Sequence, residues 1–187
     1  MVELTFAPEM RDALAHIKGK TFKSYEGYFP GGWGTVVVGP MNINLGSFSI
    51  EMKCEYCKVD GWEEVFVYDP PACLKCYERK QDELFRTESS PSTIKLVGER
   101  VTGVEIVNDR IEIDGASEVS IDVALVIRTK YHVYTFSRGI WFDDAIYVGI
   151  GDEIDIRYTK EKCEDTWSYG PDDEVLSVTV ARTSQII

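Results

Sequence analysis

Val101-Thr-Gly-Val-Glu-Ile-Val-Asn108, Arg110-Ile-Glu-Ile113, Ile121-Asp-Val-Ala-Leu-Val-Ile-Arg-Thr129 and His132-Val-Tyr-Thr-Phe-Ser137 follow one another almost without interruption. All four runs are rich in β-branched and aromatic residues, the types that fit a pleated, half-buried surface. Asn108-Asp109 and Thr129-Lys130-Tyr131 read as hairpin connections between them. Further strand candidates in this half are Ile94–Val97, Ala145–Val148, Ile154–Tyr158 and Val175–Ala181. Many short strands at close spacing predict a mainly β protein, α+β at the margin, with antiparallel sheets in a sandwich or barrel-like arrangement.

The first half is β-rich too, with more interruptions. Pro8–Lys18 predicts an N-terminal helix with Met10, Ala13, Leu14 and Ile17 on one stripe and Gly19 as its stop. Strands are expected at Thr21–Phe29, Thr35–Val38, Met41–Leu45 and Phe48–Lys53, with Gly39-Pro40 dividing the second from the third. Leu74–Phe85 favours a helix. The segment 86–93 is the most linker-like part of the chain. The expectation is one domain over 1–187, with two β-rich halves (1–85 and 94–187) joined by 86–93 as the alternative. Gly19-Lys-Thr-Phe-Lys-Ser-Tyr-Glu26 and Gly98-Glu-Arg-Val-Thr-Gly-Val-Glu105 open the two halves alike.

Two cysteine pairs, Cys54-Glu-Tyr-Cys57 and Cys73-Leu-Lys-Cys76, stand fifteen residues apart. Two C-x-x-C turns at this spacing point to one structural zinc held by Cys54, Cys57, Cys73 and Cys76, because each turn can aim two sulfurs at a common point. A strand at Glu64–Tyr68 and a turn at Asp69-Pro70-Pro71 would complete a zinc-ribbon-like insertion over 54–76. Disulfides in an oxidising compartment and a redox-active C-x-x-C are the rival readings. Met1-Val2-Glu3-Leu4 has neither the basic start nor the apolar core of an export signal, so a cytoplasmic location is expected. Cys163 is the cysteine left over.

The net charge is −12, from 32 acidic against 20 basic side chains. Phosphate backbones would be repelled, and no apolar run is long enough for a membrane helix, so neither nucleic acid nor membrane is an expected partner. From Asp143 to Glu174 there are eleven acids against Arg157, Lys160 and Lys162. Asp143, Asp144, Asp152, Glu153, Asp172, Asp173 and Glu174 would steer a basic protein to this face. Trp33, in Pro30-Gly-Gly-Trp-Gly34, is held out by its glycines as a candidate anchor. The cluster Asp152, Glu153 and Asp155 does not match an EF-hand register.

No nucleophile elbow, phosphate-binding loop, dinucleotide fingerprint or H-E-x-x-H motif is present. His16 and His132 are the two histidines. His16 reads as a surface partner of Asp12, and His132 as a structural residue sharing a strand face with Tyr134 and Phe136. The expectation is a non-enzymatic acidic interaction protein, zinc-stapled, that binds or neutralises a basic protein. The alternative is an enzyme or binding protein for a carbohydrate or other small ligand, working with carboxylates and exposed aromatics, Trp33 or Trp141, in a cleft between sheets.

Overall fold

The run that alternates most regularly makes the longest strand. In a computed structural model that describes residues 1–30, 34–57, 72–80, 92–115, 117–139, 145–168 and 176–187, β6 extends unbroken over Thr93–Ile113. A strand of this length is well beyond the usual three to ten residues, and it serves several neighbours in turn. Its first part pairs with β2 (Thr21–Tyr28), and its second part pairs with β7 (Ser117–Thr129) and with β10 (Val178–Ile186), all antiparallel. From β7 the pairing continues to β8 (Val133–Arg138), β9 (Ala145–Gly151), β3 (Val36–Asn44) and β2, and so returns to β6. The chain is therefore mainly β, and these six strands close a ring within one large mixed sheet. The ring takes β2 and β3 from before the 86–93 segment and the other four strands from after it.

Two short elements complete the sheet. β1 (Val2–Leu4) runs parallel to β7. β4 (Phe48–Tyr56) and β5 (Ala72–Lys80) form a hairpin attached to β3. β3 gives one edge first to β9, at Val36–Val38, and then to β4, at Met41–Asn44. The exchange falls at Gly39, with φ 77°, and Pro40, which has no N–H for a ladder. The strand thus bends without ending, where the sequence predicts two separate strands.

Other departures follow from side chains that find partners only in the folded chain. Asn108-Asp109 is no turn but the middle of β6. Asn108 Nδ2 donates to Asp122 Oδ1 at 3.0 Å and to Ser120 Oγ at 3.2 Å, while Asp109 takes both nitrogens of an Arg182 fork at 2.6 Å. The hairpin comes later, in the connection that follows Ile113, where Asp114 and Gly115 both have positive φ angles. The predicted helix at Leu74–Phe85 is a strand as far as Lys80, because pairing with β4 outweighs the intrinsic helix preference of 74–80. Ile154–Tyr158 is not a strand. α1 (Pro8–Ala15) precedes β2, and α2 (Lys160–Trp167) begins at Thr159, whose side chain accepts from Lys162 N. The expected strand at 64–68 lies outside the described residues.

The apolar residues divide into two clusters, one on each side of the ring wall. Phe22 of β2 meets Tyr134 of β8 edge-on at 5.0 Å, a contact between strands that are not neighbours and so one across the ring interior. Leu125, Ile127, Val104, Ile106 and Phe136 share that interior, with α1, the turn after it and the β4–β5 hairpin adding Leu14, Ile17, Met52 and Leu74. The alternate residues of β7, Ala124 and Val126, face outward into a second cluster with Leu4, Val107, Tyr158, Cys163 and Val180. Asp122, fully buried, joins the N-terminus to the wall by accepting from Phe6 N and from Arg11 Nη2, each at 2.7 Å.

Candidate functional site: two thiol pairs and an acidic turn

Strand geometry decides where the cysteines go. Successive side chains of a strand point to opposite faces, so residues three apart, as in C-x-x-C, cannot share one. In the β4–β5 register Cys54 lies opposite Leu74 and Met52 opposite Cys76, whereas Cys73 lies opposite Glu55. Cys54 and Cys76 accordingly join the ring-interior cluster, and Cys73 and Cys57 join the outer one. Each sequence pair is split, and one member of each meets a member of the other.

A structural tetrathiolate zinc needs four sulfurs at about 2.3 Å from one point. Two sulfurs on each side of one hairpin do not fit that requirement. Among the described residues no group of three or more His, Cys, Asp or Glu side chains converges to hold a metal.

The two thiol pairs differ in chemistry. Cys73 donates a hydrogen bond to the Cys57 sulfur, which pulls the Cys57 thiol down to about 7 against the opposing effect of burial; Lys75 and Arg138 pull in the same direction. The same bond pushes Cys73 up, with burial adding to it. The Cys57 sulfur is also 3.6 Å from the Glu55 carbonyl, which accepts its proton when one is present. On the other face burial holds Cys76 well above the usual thiol range, and Cys54 donates to the Ala145 carbonyl at 3.6 Å. Cys163 is pushed up to about 12 by burial and by the neighbouring Asp109.

Sequence reasoning missed Arg138. It ends β8, is 2% exposed, and lies 5.6 Å from the Tyr158 ring centre. Its charge acts on Cys57, Cys73 and Cys163 together. The available signal was a cation closing a strand whose other five residues, Val133 to Ser137, are all buried.

Of the residues expected to bind a partner, Asp152 and Glu153 lie within the described residues, at the bend after β9, and both are exposed, as is Asp155. Asp155 N donates to Thr135 Oγ1 at 3.1 Å, and its side chain lies so close to Gly149 that a Cβ there would approach Asp155 Cβ to 2.7 Å. Among the described residues none of these three acids is in an ion pair. Several arginines, by contrast, are committed internally: Arg11 to Asp122, Arg110 to Glu118, Arg128 to Glu105 and Arg182 to Asp109. Asp143, Asp144, Asp172, Asp173, Glu174, Trp33 and Trp141 lie outside the described residues.

His132 is not buried on a strand face. It stands just before β8, 45% exposed, with Nδ1 2.9 Å from Glu99 Oε1. Tyr134 donates to the same oxygen at 3.1 Å, and Thr129 donates to the other. Burial alone would raise Glu99, but these three bonds outweigh it and hold the carboxyl below its usual range. The group clasps the β7–β8 hairpin to β6. His16 pairs with the Asp12 carbonyl, at 2.6 Å, rather than with its carboxylate. A cleft of about 380 Å³ opens between Val107, Ile154, Ile156, Thr159 and Arg182–Ser184, and among the described residues no carboxylate lines it. The chain matches no protein-family model, no curated protein and no solved structure.

Proposed function

We propose that this chain is a non-enzymatic binding protein for a basic protein partner, which it engages through its acidic surface. One observation carries the reading: the acids of the 152–155 bend are exposed and outside any ion pair among the described residues, while Arg11, Arg128 and Arg182 are paired with the buried carboxylates of Asp122, Glu105 and Asp109. The net charge of the chain is −12. A field of this kind speeds encounter with a positively charged surface and suppresses encounter with acidic ones. The 152–155 bend is tied to β8 where Asp155 N donates to Thr135 Oγ1.

The experiment is affinity capture from the native cell with the wild-type chain and with the double variant Asp152→Lys/Glu153→Lys, analysed at several salt concentrations. A basic protein retained at low salt by the wild type, released progressively as screening grows, and lost by the double variant is the expected result. Equal retention by the two chains, or retention insensitive to salt, would remove the acidic bend from the interface.

A further inference from the structure

The cleft beside α2 has a lining that suits no charged group. Val107 of β6 is its buried floor, Arg182 to Ser184 of β10 form one side, and Ile154, Ile156 and Thr159, from the segment between β9 and α2, form the other. Val107 and Ser184 are partners in the β6–β10 register, so the floor and one side belong to a single ladder. Arg182 commits Nε and Nη2 to Asp109, and Nη2 also to the Tyr158 carbonyl. Its charge is therefore matched within the wall, and among the described residues Nη1 makes no hydrogen bond. A lysine or arginine head placed in the cleft would meet this guanidinium and, among the described lining residues, no carboxylate. A carboxylate head would be repelled by Asp152, Glu153 and Asp155. Three branched aliphatic side chains instead favour an uncharged, apolar group, whose removal from water is favourable.

Asp152-Glu-Ile-Asp-Ile156 joins this recess to the acidic bend. Ile154 and Ile156 are partly buried and line the cleft, whereas Asp152, Glu153 and Asp155 are exposed. Each acid is within two residues of one of the isoleucines, so the Cα atoms concerned are no more than about 8 Å apart. An apolar recess bordered by solvated charges of one sign has the anatomy of an interface centre, with a desolvated anchor inside and a polar rim around it. Its volume of about 380 Å³ is near the small end of the roughly 300–1,000 Å³ range of ligand pockets, enough for one large side chain.

Resting on the reading of this chain as a binder of a basic protein, we propose that the cleft takes one large apolar side chain from an extended segment of that partner, with lysines or arginines on either side of it facing Asp152, Glu153 and Asp155. The charged flanks bring the segment in, and the anchor holds it: steering acts mainly on association, and burial of the anchor on dissociation. Arg182 Nη1 and the Thr159 hydroxyl supply donors for the segment's backbone carbonyls. The Thr159 oxygen already accepts from Lys162 N, which leaves its own hydrogen to donate. A second copy of the chain is a poor occupant, since two chains of net charge −12 repel.

The test is titration of the full chain with two end-blocked peptides, Lys-Lys-Phe-Lys-Lys and Lys-Lys-Ala-Lys-Lys, at several salt concentrations. The Phe peptide should bind about tenfold more tightly than the Ala peptide, with the same salt slope for both. Ile156→Asn should shrink that preference to less than about twofold and leave the salt slope in place. Asp152→Lys/Glu153→Lys should weaken both peptides alike and flatten the slope while the preference for Phe persists. Methyl NMR of the unmodified chain, which requires no variant to fold, should show the Ile154 and Ile156 signals moving with the Phe peptide and not with the Ala peptide. Equal, salt-sensitive binding of the two peptides would overturn the anchor and leave the acidic surface as a binding face. Binding of neither peptide, a Phe preference that maps to methyls away from the cleft, or a dimer in sedimentation that the Phe peptide dissociates would also overturn the proposal.

Discussion

The ring interior and the outer cluster bury similar side chains to different ends. Inside, Phe22, Tyr25, Tyr134 and Phe136 meet edge-on or tilted at 5.0 to 6.2 Å, and aliphatic residues fill the remaining space. Outside, the same strands back onto Arg138, the Asp109–Arg182 fork, and the thiols of Cys57, Cys73 and Cys163. Both faces are stabilised by removal of apolar area from water, and the outer one also buries charge, of which the Asp109–Arg182 pair is offset by its partner. A loss of volume should therefore be the costly change inside, and a loss of a partner the costly change outside.

The sharpest way to break this contrast is Phe136→Ala. Phe136 is fully buried between Phe22 and Tyr25, so truncation removes its transfer energy and leaves a cavity, at about 4 kcal/mol in urea denaturation. A cost near 1 kcal/mol would mean that the ring interior is not the main core. Next in size is Asp109→Ala, which strips the Arg182 guanidinium of both carboxylate bonds and leaves it, 17% exposed, with the Tyr158 carbonyl. About 3 kcal/mol is expected. Most of it should return in Asp109→Leu/Arg182→Met, since removing both charges leaves neither stranded. Additive losses in that cycle would show that the site depends on shape and not on pairing.

A smaller effect, on the order of 1 kcal/mol, should separate Glu105→Gln from the wild type. The Arg128 hydrogen bond, aided by Ser184 and opposed by burial, holds Glu105 below the usual carboxylate range. A depressed acid contributes stability that is complete above its unfolded value near 4.3 and is lost as pH falls through the folded value. Stability measured from pH 6 to pH 2 should thus fall less steeply in the variant at the acid end. An unchanged slope would mean that Glu105 is not ionised in the pair. Smallest of all, Asp152→Lys/Glu153→Lys should move stability by no more than about 0.5 kcal/mol, because both side chains are exposed. Unfolding by this double variant would make the bend a structural element and not a binding surface.

Much of the wall was legible in advance. The runs at Thr21–Phe29, Ile121–Thr129 and His132–Ser137 became β2, β7 and β8: β2, with one face more exposed, alternates, whereas β7 and β8 are buried on both faces and were legible from their β-branched and aromatic residues. Asn108-Asp109 misled because both are good turn formers. Their true roles depend on Asp122 and Arg182, fourteen and seventy-three residues from their respective partners. Leu74–Lys80 misled for a similar reason, as its strand state depends on pairing with β4.

By itself the sequence determined the β class, the surplus of acid and the presence of two C-x-x-C pairs, all of which are properties of composition and short spacing. Only the tertiary structure decided which cysteines meet. In a tight turn residues three apart can aim at one point; in a strand they cannot, because the pleat sends odd separations to opposite faces. Once β4 and β5 paired, Cys54 and Cys76 were directed to the ring interior, and Cys57 and Cys73 to the charged cluster behind Arg138.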